Sequence, residues 1–241
     1  MTAIRTAAIA ALLLLPTACG IGQAHNAGPT IERSYSVAAF HELTVAGPYE
    51  VNVTAAGQPG VTAHGSQEAL DDLTVEVVDG DLRVMPKKKH GMRWSWHHDG
   101  KVVLTVTGGA TIQEATIAGS GGIHLDRAAG ASFKGSVAGS GDLNVAALTA
   151  QSAELSIAGS GDIRAAGRTG KLSLDIAGSG DINVPALQST DADISIAGSG
   201  NVRGYASRTA DVTVMGSGDV VLTGGAKCTV DKHGSGNVAC S

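Results

Sequence analysis

A Gly-Ser-Gly triplet followed by a carboxylate or an amide recurs through the second half of this chain, and such a combination could bind phosphate or a cation. Phosphate loops lead into the N-terminus of a helix. Here the triplets lead into Ile, Leu or Val of alternating runs, which removes that reading. Asp142, Asp162, Asp181 and Asp219 follow triplets, with Asn201 and Asn237 as isosteres, and would form a ladder if the triplets stack. Glycine–aspartate repeats can hold Ca²⁺ between stacked turns, and carboxylates at roughly 5 Å repel by about 1 kcal/mol in water, which an ion would relieve. Against this, the spacing is 18–20 residues, and Gly122, Asn201 and Asn237 interrupt the ladder. Asp and Asn can both bond the backbone N–H groups of their own turn, a structural role that explains why Asn is accepted.

A second chemical cluster is "KKKHGMRWSWHHDGK", residues 87–101. Trp94 and Trp96 would share one face of an extended segment, able to stack on a sugar or settle at a membrane interface. Lys87, Lys88, Lys89 and Arg93 would attract anionic groups. The alternative is a hairpin whose tryptophans pack on a neighbouring element. His97, His98 and Asp99 are consecutive, so an extended chain cannot turn all three towards one metal, and no metal site is expected. Enzymatic hydrolysis of a glycan would need converging carboxylates or a base beside a cation. The candidates Asp175, Arg164, Arg168 and Lys171 read as solvated strand and loop positions, so no catalytic residue and no cofactor are expected. The formal net charge of −5 argues against nucleic acid as a partner.

The elements that must position these groups follow from the repeat itself. The triplets begin at Gly119, Gly139, Gly159, Gly178, Gly198, Gly216 and Gly234, at intervals of 20, 20, 19, 20, 18 and 18 residues. Such regularity marks a solenoid. Ile117, Val137, Ile157, Ile176, Ile196 and Val214 precede the triplets at a fixed offset, and Ile123, Leu143, Ile163, Ile182, Val202 and Val220 follow them. Apolar residues spaced by two lie on one face of a strand. Each repeat is therefore strand, glycine corner, strand, then a looser second connection. No single repeat buries its apolar face, but stacking on neighbours about 4.8 Å away does. The expected fold is all-β: a parallel β-helix over 108–241, about 18–20 residues per coil, with a β-rich N-terminal part over 31–107 that caps it or forms irregular first coils. The corner serines would stack into a hydroxyl ladder, and the glycines would take φ > 0.

Both ends carry further signals. Residues 1–18 read as a signal peptide, with Arg5 before an apolar run from Ala7 to Leu15 that is too short to span a membrane. The run ends in Pro16-Thr17-Ala18-Cys19, which resembles a bacterial lipoprotein signal and implies lipidation of Cys19, with 19–30 as a tether. Cys228 and Cys240 fall in the inward phase of the last coil, on either side of its corner, and are expected to form a disulfide across the end of the core. Lys232 takes an inward position in the same coil, which would stop other chains from adding to the stack.

The recurrent "AGSGDI" and "AGSGDL", the early "FHELTVAGPYEVNV" and the following "DLRV" resemble the auto-transporter adhesin head GIN domain family over about residues 37–240. The resemblance implies a right-handed parallel β-helix-like fold and an exported bacterial envelope protein, and it supplies no catalytic residues. The expected function is a non-enzymatic cell-envelope lipoprotein, a binding or structural module held to the membrane by its N-terminal lipid, with polysaccharide or an envelope protein as partner. A calcium-binding β-helix is the alternative, and a polysaccharide-active enzyme a weaker one.

Overall fold

The computed structural model describes residues 29–87, 101–109 and 112–241. Cys19, Lys88, Lys89, Arg93, Trp94, Trp96, His97, His98 and Asp99 lie outside the described residues. Among the described residues the protein is all-β apart from one short helix, Gln67–Asp71, and its strands form a parallel β-solenoid of about six turns joined to a mixed sheet.

The solenoid is held in register by its corners. Gly119 pairs with Gly139, Gly139 with Gly159, Gly159 with Gly178, and so on to Gly234. The first glycine of each of these triplets has φ between 128° and 145°, a region that costs an L-residue steric strain. The second glycine is required for a different reason. A Cβ on Gly161 would stand 2.2 Å from the carbonyl oxygen of Gly141 in the coil before it, and Gly141, Gly180 and Gly200 meet the preceding coil at 2.2–2.3 Å. The first glycine allows the chain to turn, and the second allows the turns to touch.

The corner serines do not form the expected hydroxyl ladder. Their side chains are exposed, and their backbone N–H groups make the link between coils, each donating to the first glycine's carbonyl one coil earlier: Ser140 to Gly119 at 2.9 Å, Ser160 to Gly139 at 2.8 Å, Ser199 to Gly178 at 2.9 Å. At the outside of a turn a hydroxyl meets water, so nothing drives it to its neighbour. A hydroxyl contact does occur within the preceding strands, four residues before these corner serines, between Ser136 and Ser156 at 3.1 Å.

Between corners the chain makes long bent strands. Asp142–Gly159 and Asp162–Gly178 each wrap most of a coil, with inward residues alternating against outward polar ones. The core is a set of aliphatic columns, including Leu143, Ile163 and Ile182 after the corner and Val137, Ile157 and Ile176 before it, all at most 2% exposed. Gly135 occupies the column of Leu155 and Leu174. A Cβ there would meet Leu143 at 2.7 Å and Leu155 at 2.9 Å, so the neighbours already fill its place.

Two coils precede the first triplet, and their order in space differs from their order in the chain. Glu42–Ala46 and Glu50–Thr54 form a coil around Gly47-Pro48-Tyr49 that pairs in parallel with Glu114–Gly119 and Gly122–Leu125. Asp81–Pro86 and Val103–Thr107 then pair on the other side of that coil. The chain therefore builds outward before it crosses back to start the triplet repeats. Antiparallel strands cover the outer edge: Leu73–Val78 on Asp81–Pro86 through the Asp79-Gly80 turn, Gly60–Ser66 on Val103–Thr107, and Thr30–Tyr35 on Gly60–Ser66.

The opposite end closes with a disulfide between Cys228 and Cys240. Cys228 is half-buried against the core and Cys240 is exposed, so the bridge sits over the rim of the core and not within it. Lys232 reaches across the corner and donates to the carbonyl of Gly236 at 2.8 Å, satisfying an end-coil acceptor that has no further coil beyond it. The bridge closes a loop with a sequence separation of 12. Cys240→Ser is expected to cost about 2–3 kcal/mol and to raise hydrogen exchange selectively over Lys227–Cys240. Unchanged exchange there would show that the bridge holds nothing the sheet does not already hold.

Candidate ligand-binding groove

The Asp/Asn ladder is present but wired differently from the expectation. Asp181 Oδ1 accepts the backbone N–H of Asn201 in the next coil at 2.9 Å and also its side-chain amide at 2.9 Å. Asn201 Oδ1 accepts from the Asp219 N–H at 3.1 Å, and Asp219 Oδ1 from the Asn237 N–H at 2.8 Å. The side chains thus bond the following coil and not their own turn, because parallel stacking brings the neighbour's amide within reach. Earlier in the stack the corresponding amides of Asp142 and Asp162 donate to the carbonyls of Gly121 and Gly141, and the Asp162 carboxylate pairs with Arg164 at 2.9 Å. Either oxygen acceptor serves, which is why Asn substitutes for Asp. Among the described residues no three His, Cys, Asp or Glu side chains come together as a metal cage.

Gly122 breaks the ladder for a visible reason. In the coil before it stands Glu50, whose carboxylate would lie 2.5 Å from a Cβ on Gly122. That carboxylate passes over the glycine to His124 Nε2 at 2.6 Å and also meets Lys101 Nζ at 3.3 Å. Lys101 is one stem of the Trp-containing segment. Lys87, the other stem, donates its backbone N–H to Asp72 and its ammonium to the carbonyl of Asp71. Lys87 thereby anchors this end of the segment to Asp71 and Asp72. Nearby Tyr49 is buried, which, together with the charge of Asp72, pushes its phenol up to about 12.

The remaining sequence candidates are scattered. Arg164 lies after the corner, Arg168 at the second bend, and Asp175 before the next corner, accepting from the Ser173 hydroxyl at 3.2 Å. Lys171 lies elsewhere again, in a groove that the sequence reading did not identify.

That groove is an open channel of about 950 Å³ along the solenoid axis, on the concave side of the bent strands. One wall carries Ser132, Ser152, Lys171, Asp191 and Thr209, neighbours in register from coil to coil. The other carries Glu114, Lys134, Glu154, Ser173, Asp193 and Asp211, likewise in register, with Glu42 towards the capped end. Phe133, Ala153, Leu172 and Ala192 form a floor that is almost wholly buried. Seven coils contribute to the second wall, which at about 4.8 Å per coil gives a length of roughly 29 Å.

Part of the groove is fixed by its own bonds. Arg208 grips both oxygens of Asp191, and the Thr209 hydroxyl adds a bond at 2.7 Å. Arg208 and then Thr209 hold the Asp191 carboxyl down at about 2. A carboxylate with a depressed pKa contributes to folding above its unfolded value, and the contribution is lost as pH falls through the folded one. An NMR titration should therefore find Asp191 ionised to below pH 3; a midpoint near 4 would mean the Arg208 clamp is open in solution. Lys134 approaches Glu114 at 3.9 Å. The side chains of Lys171, Glu154, Asp193 and Asp211 form no side-chain hydrogen bond or ion pair among the described residues, although the Lys171 charge adds to the lowering at Asp191 and its backbone carbonyl accepts the Thr169 hydroxyl.

A rigid parallel solenoid with an axial groove, and no converging catalytic set among the described residues, defines a surface-presenting β-helix. The chain belongs to the family described as "Putative auto-transporter adhesin, head GIN domain", whose model matches residues 39–226. The disulfide-closed coil from Lys227 onward follows the matched segment. Solved structures share the fold. A "putative adhesin" from Bacteroides fragilis superposes with a TM-score of 0.79 at 20% identity, covering 89% of this chain and 98% of that one. A "putative lipid binding protein" from Parabacteroides distasonis gives 0.67 at 22%, covering 89% and 97%. A "putative adhesin" from the same organism gives 0.63 at 20%, covering 89% and 98%. Among curated protein sequences none matches this chain. The family's description speaks of adhesins and names no enzyme, and together with the disulfide it points to an exported protein.

Proposed function

We propose that the protein is a non-enzymatic binding module of the bacterial cell envelope, tethered through a lipid on Cys19, that lays an extended ligand along its axial groove. The observation that carries the reading is the groove itself: about 950 Å³, continuous over several coils and lined in register by polar side chains. Extended concave surfaces are what solenoids present to long ligands. The family membership and the disulfide support an exported location. The lipid anchor rests on the Pro16–Cys19 signal in the sequence.

A pull-down from envelope extract with the full chain tests the reading. Three forms are compared: wild type, Glu154→Lys, and a variant lacking residues 88–100. Capture lost with Glu154→Lys supports the groove. Capture lost only with the deletion would move the binding function to the Trp-containing segment. Labelling with a fatty-acid analogue, lost in Cys19→Ser, tests the anchor.

A further inference from the structure

We propose that the groove docks an extended, basic polypeptide segment of about nine residues, its lysine or arginine side chains set on the carboxylates of one wall; this rests on the reading of the groove as the ligand site. The lining carries six carboxylates against three cations. Arg208 holds Asp191, and Lys134 approaches Glu114 at 3.9 Å. That leaves Glu42, Glu154, Asp193 and Asp211 against Lys171 alone. All four carboxylates stand on the same wall, Glu42 with the His41 ring at 3.7 Å. The floor of Phe133, Ala153, Leu172 and Ala192 brings no polar side chain, so the polar contacts of a ligand fall on the walls. A polyanion is repelled along the acidic wall, and a cationic strand is drawn to it. The acidic column also continues past the capped end of the groove, where Asp81 lies in register beside Glu42. Asp81 is 9% exposed. Its Oδ2 accepts from Thr44 at 3.2 Å and from Arg83 at 2.8 Å, but its Oδ1 is buried with no hydrogen-bond partner among the described residues. A buried acceptor without a donor is costly. A cationic group brought in beside Glu42 would supply the donor that this chain withholds.

The spacing of the carboxylates favours a polypeptide over other cations. Glu42 to Glu154 spans three coils, Glu154 to Asp193 two, and Asp193 to Asp211 one. At about 4.8 Å per coil these intervals are roughly 14, 10 and 5 Å. A polymer with amines at one fixed interval matches one of them and misses the others. Lysine and arginine end long, flexible stems and adjust to uneven anchors. An extended backbone rises about 3.3 Å per residue, so the roughly 29 Å of the channel holds about nine residues. The opposite wall suits the backbone of such a strand. The Lys171 ammonium donates to a peptide carbonyl, and the Ser132 and Ser152 hydroxyls donate or accept. The Asp191–Arg208–Thr209 set is already locked by its own bonds. The ligand-facing groups are then Glu42, Glu154, Asp193 and Asp211 for the cations and Lys171 for the backbone.

Calorimetric titration of the full chain in mild detergent tests this with four probes: a capped nonapeptide with lysine at every third position among glycine and serine, the same peptide with glutamate for lysine, spermine, and a neutral glucan hexasaccharide. The lysine peptide is expected to bind, and to bind about tenfold more weakly at high salt than at low salt. Glu154→Gln and Asp193→Asn, both at exposed positions, are expected to weaken it about two- to fivefold each. The two together with Glu42→Gln and Asp211→Asn should weaken it about tenfold or more. Asp142→Asn removes a charge of the same sign beyond the corner and should leave binding unchanged. Spermine bound as tightly as the peptide, and weakened by the same variants, overturns the choice of a polypeptide but leaves the acidic groove. Binding of the glutamate peptide or the hexasaccharide alone, altered by the wall variants, overturns the choice of charge but leaves the groove as the site. Lysine-peptide binding that the wall variants do not alter is attraction to the net charge of the protein and overturns the proposal. No binding by any probe at millimolar concentration also overturns it, and the envelope pull-down then judges the groove separately.

Discussion

Replacing Gly161 with alanine is expected to destabilise the protein by about 4 kcal/mol or more, among the largest effects a single methyl group can have. The new Cβ would stand 2.2 Å from the Gly141 carbonyl oxygen and 2.7 Å from a methyl of Val137. Neither can move away cheaply. The Gly141 carbonyl accepts the amide of Asp162 at 3.1 Å, and Val137 is in the closed core. Opening the two coils at this point would break the bonds from Ser160 and Gly161 to Gly139 as well. Because Gly161 does not need positive φ, the loss isolates contact between coils from backbone strain. For a chain of this length each kcal/mol shifts Tm by about 2–4 °C, so a fall of roughly 8–16 °C is expected. Ser160→Ala, one residue earlier, should shift Tm by about 1–2 °C at most, since its hydroxyl faces water. Similar shifts for the two variants would contradict the stacking account.

The second large effect is expected at Leu155→Ala, at about 3.5–4 kcal/mol. Leu155 is fully buried and lies in register between Gly135 and Leu174. Its methyl already fills the space that Gly135 leaves, so truncation would empty two neighbouring positions at once. A rigid stack relaxes poorly into such a gap, and the cost should sit near the middle of the range for buried leucines and not at its foot. Thermal melting of Leu155→Ala beside the double variant Gly135→Ala/Leu155→Ala checks the mechanism. The double variant should recover part of the loss, because the added methyl no longer meets Leu155 and the Leu143 methyl, 2.7 Å from it, can shift into the space that Leu155 vacates. A double variant worse than the single one would show that the space is not shared.

The triplet coils were legible because one residue type is forced at two positions per coil. Nothing but glycine fits the positive-φ corner and the carbonyl contact together, so the sequence repeats visibly wherever the coil repeats. The coil around Gly47-Pro48-Tyr49 escaped this signal. It keeps the first glycine, with φ 113°, but carries Tyr49 where the others have their second glycine. The coil on its outer side, Asp81–Pro86 and Val103–Thr107, has no Gly-Ser-Gly triplet between its strands. Its order in the stack could not be read either, since strand pairing, not sequence adjacency, puts Asp81–Pro86 outside Glu42–Ala46.

The groove was illegible for the opposite reason. Ser132, Ser152, Lys171, Asp191 and Thr209 share a column but not one residue type throughout, because the bend requires only a side chain that can face solvent. The irregularity between Val145 and Leu148 also shifts the register by one residue, which blurs any column drawn at a fixed period from the corners. Aligning the repeats from the next corner backward, from Gly159, Gly178 and Gly198, would have placed Ser152, Lys171 and Asp191 together. The ladder carboxylates and amides bond the next coil, a contact that the residues after each corner do not reveal by themselves. Local turn chemistry is the natural reading of Asp after Gly-Ser-Gly, whereas the competing amide comes from a coil some 18–20 residues away.

Distances between spin labels on the corner serines test the stacked-corner geometry most directly. With one label at Ser120 and the second at Ser179, Ser199 or Ser217, the pairs are three, four and five coils apart, and the separations should rise evenly through roughly 14, 19 and 24 Å. A narrow distribution that grows by one coil spacing at each step is the predicted result. Distances that are equal, broad, or out of that order would contradict it.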